Sequence, residues 1–403
     1  MNLLKEGLDK KVVIPTEITR KLNIDGSNKV FPVYRIRLDQ LYYNDQNTRI
    51  ATWISEYKSR NNGMGPDRSD IDNFNKVIES FIVESNPDAI RKTQANIELL
   101  DQREPGVVLA DGRIIDGNRR FTCLRRLSSK NERFNWFEAV ILDRELEKNA
   151  KQLKMLELSI QLGEESKVDY SPIERLVGLY DAIEGSNILT VSEYARSVEE
   201  SEAEVRRLLS LAELMVEFLE FINAPKQFHI ARDLQVYYPL EELSKIVKKT
   251  KSEEEAANYK NIVFTNIVMG VKKDMTRVIR DIQNIQKSPS QAEFVEEQLE
   301  LVEEVLEALP EPGKVDESYI RDVLRAEGDL QNRLEDSRDK ALTKAKKIET
   351  RKRPLSILEK ATIQLETLDL NIVKRLNQEE KFGIKEQLDV LIDLIQKIEE
   401  AVE

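Results

Sequence analysis

The chain holds one cysteine and one histidine in 403 residues. A lone thiol, Cys123, excludes an internal disulfide and any cysteine-rich zinc site. A lone imidazole, His229, excludes histidine-cluster metal sites and argues against a Ser–His–Asp mechanism. Glycine (14) and proline (12) are scarce, which excludes collagen-like, disordered and turn-rich all-β classes. No run of 18 apolar residues occurs, so no membrane span is expected. Residues 1–11 lack the apolar stretch of a signal peptide. A reducing, cytoplasmic setting is the expectation.

Charge, in contrast, is abundant. Charged residues make up 34% of the chain, apolar residues 40%, and the net charge is −12. The balance is uneven: residues 1–150 carry 25 basic and 23 acidic side chains, whereas residues 151–403 carry 37 and 51. The front of the chain is better suited to meet a polyanion. The length implies two or three domains.

Residues 1–145 read as an α/β domain. Val30–Leu38 has strand alternation, with Val33, Arg35 and Arg37 on one face and Tyr34, Ile36 and Leu38 on the other. The polar loop Asn44 to Arg49 follows. Ile50–Tyr57 and Asp72–Val83 have helical spacing. Val107–Ala110 and Arg113–Asp116 flank Asp111-Gly112, a pair that favours a type I′ hairpin turn. Phe121–Leu127 reads as a helix and Phe137–Leu142 as a last strand.

From about Glu145 the pattern is helical, with helices expected at Leu146–Leu162, Pro172–Ile183, Val191–Val198 and Glu202–Phe221. Pro172 behind Ser171 is a tolerated first-turn proline after a good cap. Leu309 to Lys314, with two prolines and a glycine, is the clearest linker. Beyond it, Leu358, Ala361, Leu365, Leu368 and Ile372 form one stripe of alternating three- and four-residue spacing. Ile384, Leu388, Leu391, Ile395, Ile398 and Val402 form another. The expected order is thus the α/β domain (1–145), a helical domain with a helix-turn-helix (146–235), a helical region (236–310), and a C-terminal helical hairpin or coiled-coil arm (311–403). The arm suits either a bundle packed on itself or homodimerisation, and its acidity suits a protein partner.

Ile114 to Arg120 carries the most chemistry. It runs from the hairpin straight into a helix. Gly117 lets the backbone approach a ligand, the helix start presents unpaired N–H groups, and Arg119 and Arg120 add cationic donors for phosphate oxygens. Asp116 could pair with those arginines or hold a metal ion on a nucleotide. Arg125 and Arg126, further along the same helix, extend the basic character toward DNA. Cys123 within it reads as a packed side chain, with no histidine nearby to make it a thiolate. The basic run Lys344, Lys346, Lys347, Arg351, Lys352 and Arg353 is either a solvated helix face or a secondary phosphate contact.

These motifs resemble the ParB/sulfiredoxin superfamily over about residues 30–235. Ile115 to Arg120, between hairpin and helix, resembles its Gly-Glu-Arg-Arg phosphate-binding box. Asn44 to Arg49 is similar to an earlier Asn-rich loop ending in arginine. Ser159 to Lys167, then Asp169 to Glu174, resembles the Glu-Asn-x-Gln-Arg box and the Leu-Asn-Pro-Ile-Glu segment that follows it, with Pro172-Ile173-Glu174 matching directly. Phe228 to Ala231 is similar to a Gly-His-Ala segment further on. The resemblance implies an α+β ParB/sulfiredoxin-like domain followed by a helix-turn-helix. It also implies a nucleoside triphosphate with Mg2+ held at Asn44, Arg49, Gly117, Asn118, Arg119, Arg120 and Lys167, CTP and its hydrolysis being the family precedent. Asn118 stands where the family has glutamate, so hydrolysis should be slow. Sulfiredoxin activity, which needs a cysteine there, is not expected.

In the helix-turn-helix, Thr190 caps the first helix and Glu202 opens the second. Tyr194, Ala195, Val198, Val205, Leu208 and Leu209 are the expected apolar contacts. Arg206 and Arg207 are the DNA-facing candidates, next to Glu202 and Glu204, which repel phosphate. The leading expectation is a ParB-like, DNA-associated protein of genome maintenance, plasmid biology or phage defence. Two alternatives stand beside it. One is a ParB-like nuclease or NTPase of a restriction or phage-defence system, with Asp116, Glu164 or Glu165 as catalytic or metal-holding carboxylates. The other is a non-catalytic protein-interaction scaffold.

Overall fold

The structure, a computed structural model, describes residues 2–24, 27–142, 150–160, 171–270, 274–326 and 328–402. Two compact units divide the chain, residues 1–339 and 340–403.

The first unit opens on a mixed five-stranded sheet. A long hairpin, β1 (Val13–Ile24) and β2 (Ser27–Arg37), forms one side. Three helices follow: α1 (Ala51–Arg60), α2 (Ile71–Ser85) and α3 (Pro87–Leu100). Then come β3 (Gly106–Leu109), β4 (Ile114–Asp116), α4 (Asn118–Ser128) and β5 (Trp136–Leu142). The strand order is β1-β2-β5-β3-β4, antiparallel except where β3 and β5 run parallel.

Alternation along the central strands feeds two cores, one per face. Phe137, Ala139 and Ile141 of β5 join Val108, Phe121 and residues of α2 and α3 such as Phe74, Ile78 and Ile97. Val140 and Leu142 join Val107, Leu109, Ile115 and, from α5 (Ala150–Leu158), Leu153 and Leu156. Burial on both faces explains why β5 is nearly continuous in apolar residues.

The β3–β4 connection differs from the expected type I′ turn, which needs positive φ at both Asp111 and Gly112. Only Gly112 is left-handed, at +98°. Asp111 is held instead by its carboxylate, which accepts from the Arg113 N–H at 2.9 Å and the Tyr42 hydroxyl at 2.6 Å. The loop therefore spans three residues, with Leu109 N–H donating to Arg113 O at 2.9 Å.

The helical remainder of this unit runs through α6 (Pro172–Tyr180), α7 (Val191–Ser197), α8 (Glu202–Phe221), α9 (Phe228–Asp233), α10 (Tyr237–Val247), α11 (Glu253–Met269), α12 (Met275–Gln286), α13 (Gln291–Ala308) and α14 (Glu317–Tyr319). α7 and α8 are the expected helix-turn-helix pair. Thr190 and Glu193 form a capping box on the first, and Ser201 caps the second. The six apolar residues expected between them are all buried.

α6 ties this layer to the sheet domain. Gly178 lies so close to the turn Thr48–Ile50 that a Cβ there would sit 2.4 Å from Thr48 Cγ2. Glu174, buried one turn earlier, accepts from the Thr52 N–H at 3.2 Å and from the Thr52 hydroxyl. A carboxylate from α6 thus caps the N-terminus of α1.

α15 (Gly328–Glu366) begins in the first unit, where Leu330, Leu334, Arg338 and Ala341 are buried, and continues into the second. α16 (Leu370–Arg375) and α17 (Gln378–Val402) complete the chain. The arm is helical as expected, but most of its large apolar side chains are exposed. Among the described residues, no helix is long and apolar enough to cross a membrane.

Candidate functional site

β4 ends at Asp116, and Gly117 turns the chain into α4 with φ +96°. A side chain there would be strained, and its Cβ would lie 2.8 Å from Phe137 Cζ. No side chain caps α4, so the positive end of its dipole is left for a ligand. This helix start borders a cleft of about 470 Å³. Its other walls are Asn47 to Ile50, Thr93 and Asn96 of α3, and the segment Gln102–Glu104. Arg49, Lys92, Arg103, Arg119 and Arg120 line it against two carboxylates, Glu104 and Asp116.

Those carboxylates are already engaged. Asp116, 5% exposed, accepts on one oxygen from Arg20 Nη1 at 3.0 Å and Arg120 Nη2 at 2.9 Å. Arg120 also donates to Glu104 at 3.0 Å, and Arg20 to Pro105 O at 2.6 Å. Of the two roles open to Asp116, the structure shows the ion-pair partner. A divalent cation beside two guanidinium groups is repelled, so this donor set does not fit a metal. Among the described residues, no cluster of three His, Cys, Asp or Glu could hold one. Glu164, Glu165 and Lys167 lie outside the described residues. Asn118, 7% exposed, lines the cleft with an amide oxygen that has no donor.

The structure therefore brings Arg49, Gly117, Asn118, Arg119 and Arg120 together, but not Asn44. Asn44 is buried, donating to Glu157 of α5 at 3.1 Å and accepting from Gln46 N–H at 3.1 Å. Asn47 takes its place at the cleft and caps the Thr48–Ile50 turn through Arg49 N–H at 3.0 Å. The available signal was Asn47-Thr48-Arg49 itself, an Asx cap before a short helical turn. Lys92, Thr93 and Asn96 came from a helix that sequence periodicity did not reveal.

Arg125 and Arg126 open onto a different groove, shared with Asp72, Glu79 and Glu84. Arg125 donates to Glu79 at 2.8 Å and lies over the Phe121 ring. On α8, Arg206 pairs with Glu202 at 3.3 Å. Arg207 pairs with Glu204 at 2.7 Å and Glu241 at 3.0 Å. Cys123 is buried, with its thiol pushed up to about 12 by burial, as expected of a packed side chain.

A second group of ionisable side chains lies where α6, α1 and α9 meet. Burial pushes Glu174 up to about 7 against the opposing pull of its bonds from Thr52. Arg232 lies 4.2 Å from the centre of the Trp53 ring, donates to Glu56 at 2.9 Å and to Thr52 Oγ1 at 3.2 Å. His229 is buried beside it, pulled below the usual histidine range by burial.

The chain matches no family model and no curated protein.

Proposed function

We propose that this is a ParB-like, DNA-associated protein whose α4 cleft binds the phosphates of a nucleotide. One observation carries the reading: an uncapped helix start, reached through a left-handed glycine, borders a 470 Å³ cleft with five cationic side chains. In this reading, phosphate oxygens meet the α4 N-terminus, with Arg119, Arg49, Lys92 and Arg103 around them. Arg120 has a positioning role, because Asp116 and Glu104 hold its guanidinium in place. Thr93, Asn96, Gln102 and the unpartnered Asn118 amide supply uncharged contacts for a base or ribose, and four isoleucines, Ile50, Ile82, Ile97 and Ile115, supply an apolar wall.

Binding without turnover fits this cleft better than catalysis. Asn118 cannot act as a carboxylate base, and both lining carboxylates are committed to arginine. DNA contact falls to α8, where Arg206 is the more accessible cation. A thermal-shift panel of nucleoside mono-, di- and triphosphates, with and without duplex DNA, tests the reading. A nucleotide at 100 times its dissociation constant should add about 2.7 kcal/mol. Arg119→Ala with Lys92→Ala should abolish that shift at unchanged baseline stability. A panel with no shift, or a shift that survives the double substitution, contradicts the proposal.

A further inference from the structure

The second unit holds an apolar surface that nothing in the chain covers. Between residues 355 and 402, sixteen large apolar side chains are exposed, against ten in residues 1–339. On α17, the spacing of Leu388, Leu391, Ile395 and Ile398 marks one seam, and Ile392 and Leu394 widen it on both sides; both are about half exposed. A two-stranded coil needs only the narrow seam, whereas apolar flanks on both sides call for two neighbouring helices.

The same chain carries a complementary pair of charged segments. Residues 340–351 hold five basic side chains and one acidic, and residues 386–400 hold five acidic and one basic. A partner that offers a basic helix to the acidic one, and an acidic helix to the basic one, is another copy of this chain. Covering half of the exposed apolar surface would remove roughly 800 Å² per copy, the size of a standard specific interface.

We propose that α15 beyond residue 340 and α17 pair with the same two helices of a second copy, as a two-fold symmetric four-helix bundle. The basic half of each α15 faces the acidic half of the partner's α17. This assembly does not depend on what the cleft binds.

Sedimentation velocity on the full chain across a hundredfold concentration range tests it. The expected species has twice the 46.7 kDa chain mass. Leu388→Asp with Ile395→Asp should give a monomer, with the melting transition of residues 1–339 retained as proof of folding. Lys346→Glu with Lys347→Glu should weaken the dimer at least tenfold, and adding Glu399→Lys with Glu400→Lys should restore it. A monomeric parent, a trimer, or a dimer untouched by Leu388→Asp with Ile395→Asp overturns the proposal. So does a charge reversal that the second reversal fails to rescue.

Discussion

Glu174 gives the molecule a pH dependence that can be worked out from the structure. Its carboxyl is buried at the N-terminus of α1, and burial lifts it from 4.5 to about 7. A carboxyl whose folded pKa lies above its unfolded value favours folding when protonated. Its contribution is fully present below about pH 4.5 and is lost as pH rises through about 7. At about 1.36 kcal/mol per pKa unit, the loss above pH 8 is on the order of 3 kcal/mol. Glu174→Gln keeps an acceptor for the Thr52 N–H and carries no charge at any pH. Urea unfolding of parent and variant at about pH 5 and pH 8 isolates the effect, since other titrating groups cancel in the difference. The variant should gain on the parent by about 2–3 kcal/mol between the two conditions. A gap that stays constant with pH would mean that Glu174 is ionised at ordinary pH, and the burial argument would fail. The consequence reaches the cleft, because α1 begins where the turn carrying Arg49 ends.

Other substitutions probe separate parts of the account. Gly117→Ala forces a side chain into a left-handed backbone against Phe137, and should cost about 1–3 kcal/mol in thermal denaturation while weakening nucleotide binding. Arg206→Ala should flatten the slope of log K against log salt for DNA by about one unit, whereas Arg207→Ala should leave it unchanged, because Glu204 and Glu241 already hold that guanidinium. Cys123 should resist alkylation at neutral pH in the native protein and react freely in denaturant; equal rates would contradict its burial.

The sequence was legible where chemistry is local. The β3–β4 hairpin, the arginine-bearing helix start and the capped pair α7 and α8 follow from residues within a few positions of one another. β1 was missed because it is mostly exposed and carries Pro15, so no two-residue apolar alternation marks it. α3 was missed because only Ile90 and Ile97, seven residues apart, are buried on it. The roles of Asp116 and Arg120 depend on Arg20, 96 residues from Asp116, a pairing that no local pattern encodes. Glu174 was noted for its resemblance to a motif, yet its work as a cap for α1 required the two segments to meet across the fold.

The central claim is that the start of α4 is a phosphate site. Titration calorimetry of the nucleotide that shifts the melting point most, into the parent and into Arg119→Ala with Lys92→Ala, tests it most directly. The account expects saturable binding at one site per chain in the parent and at least a tenfold weaker association in the variant, with both proteins equally stable. Equal affinity in the two proteins would place the phosphates somewhere other than this cleft.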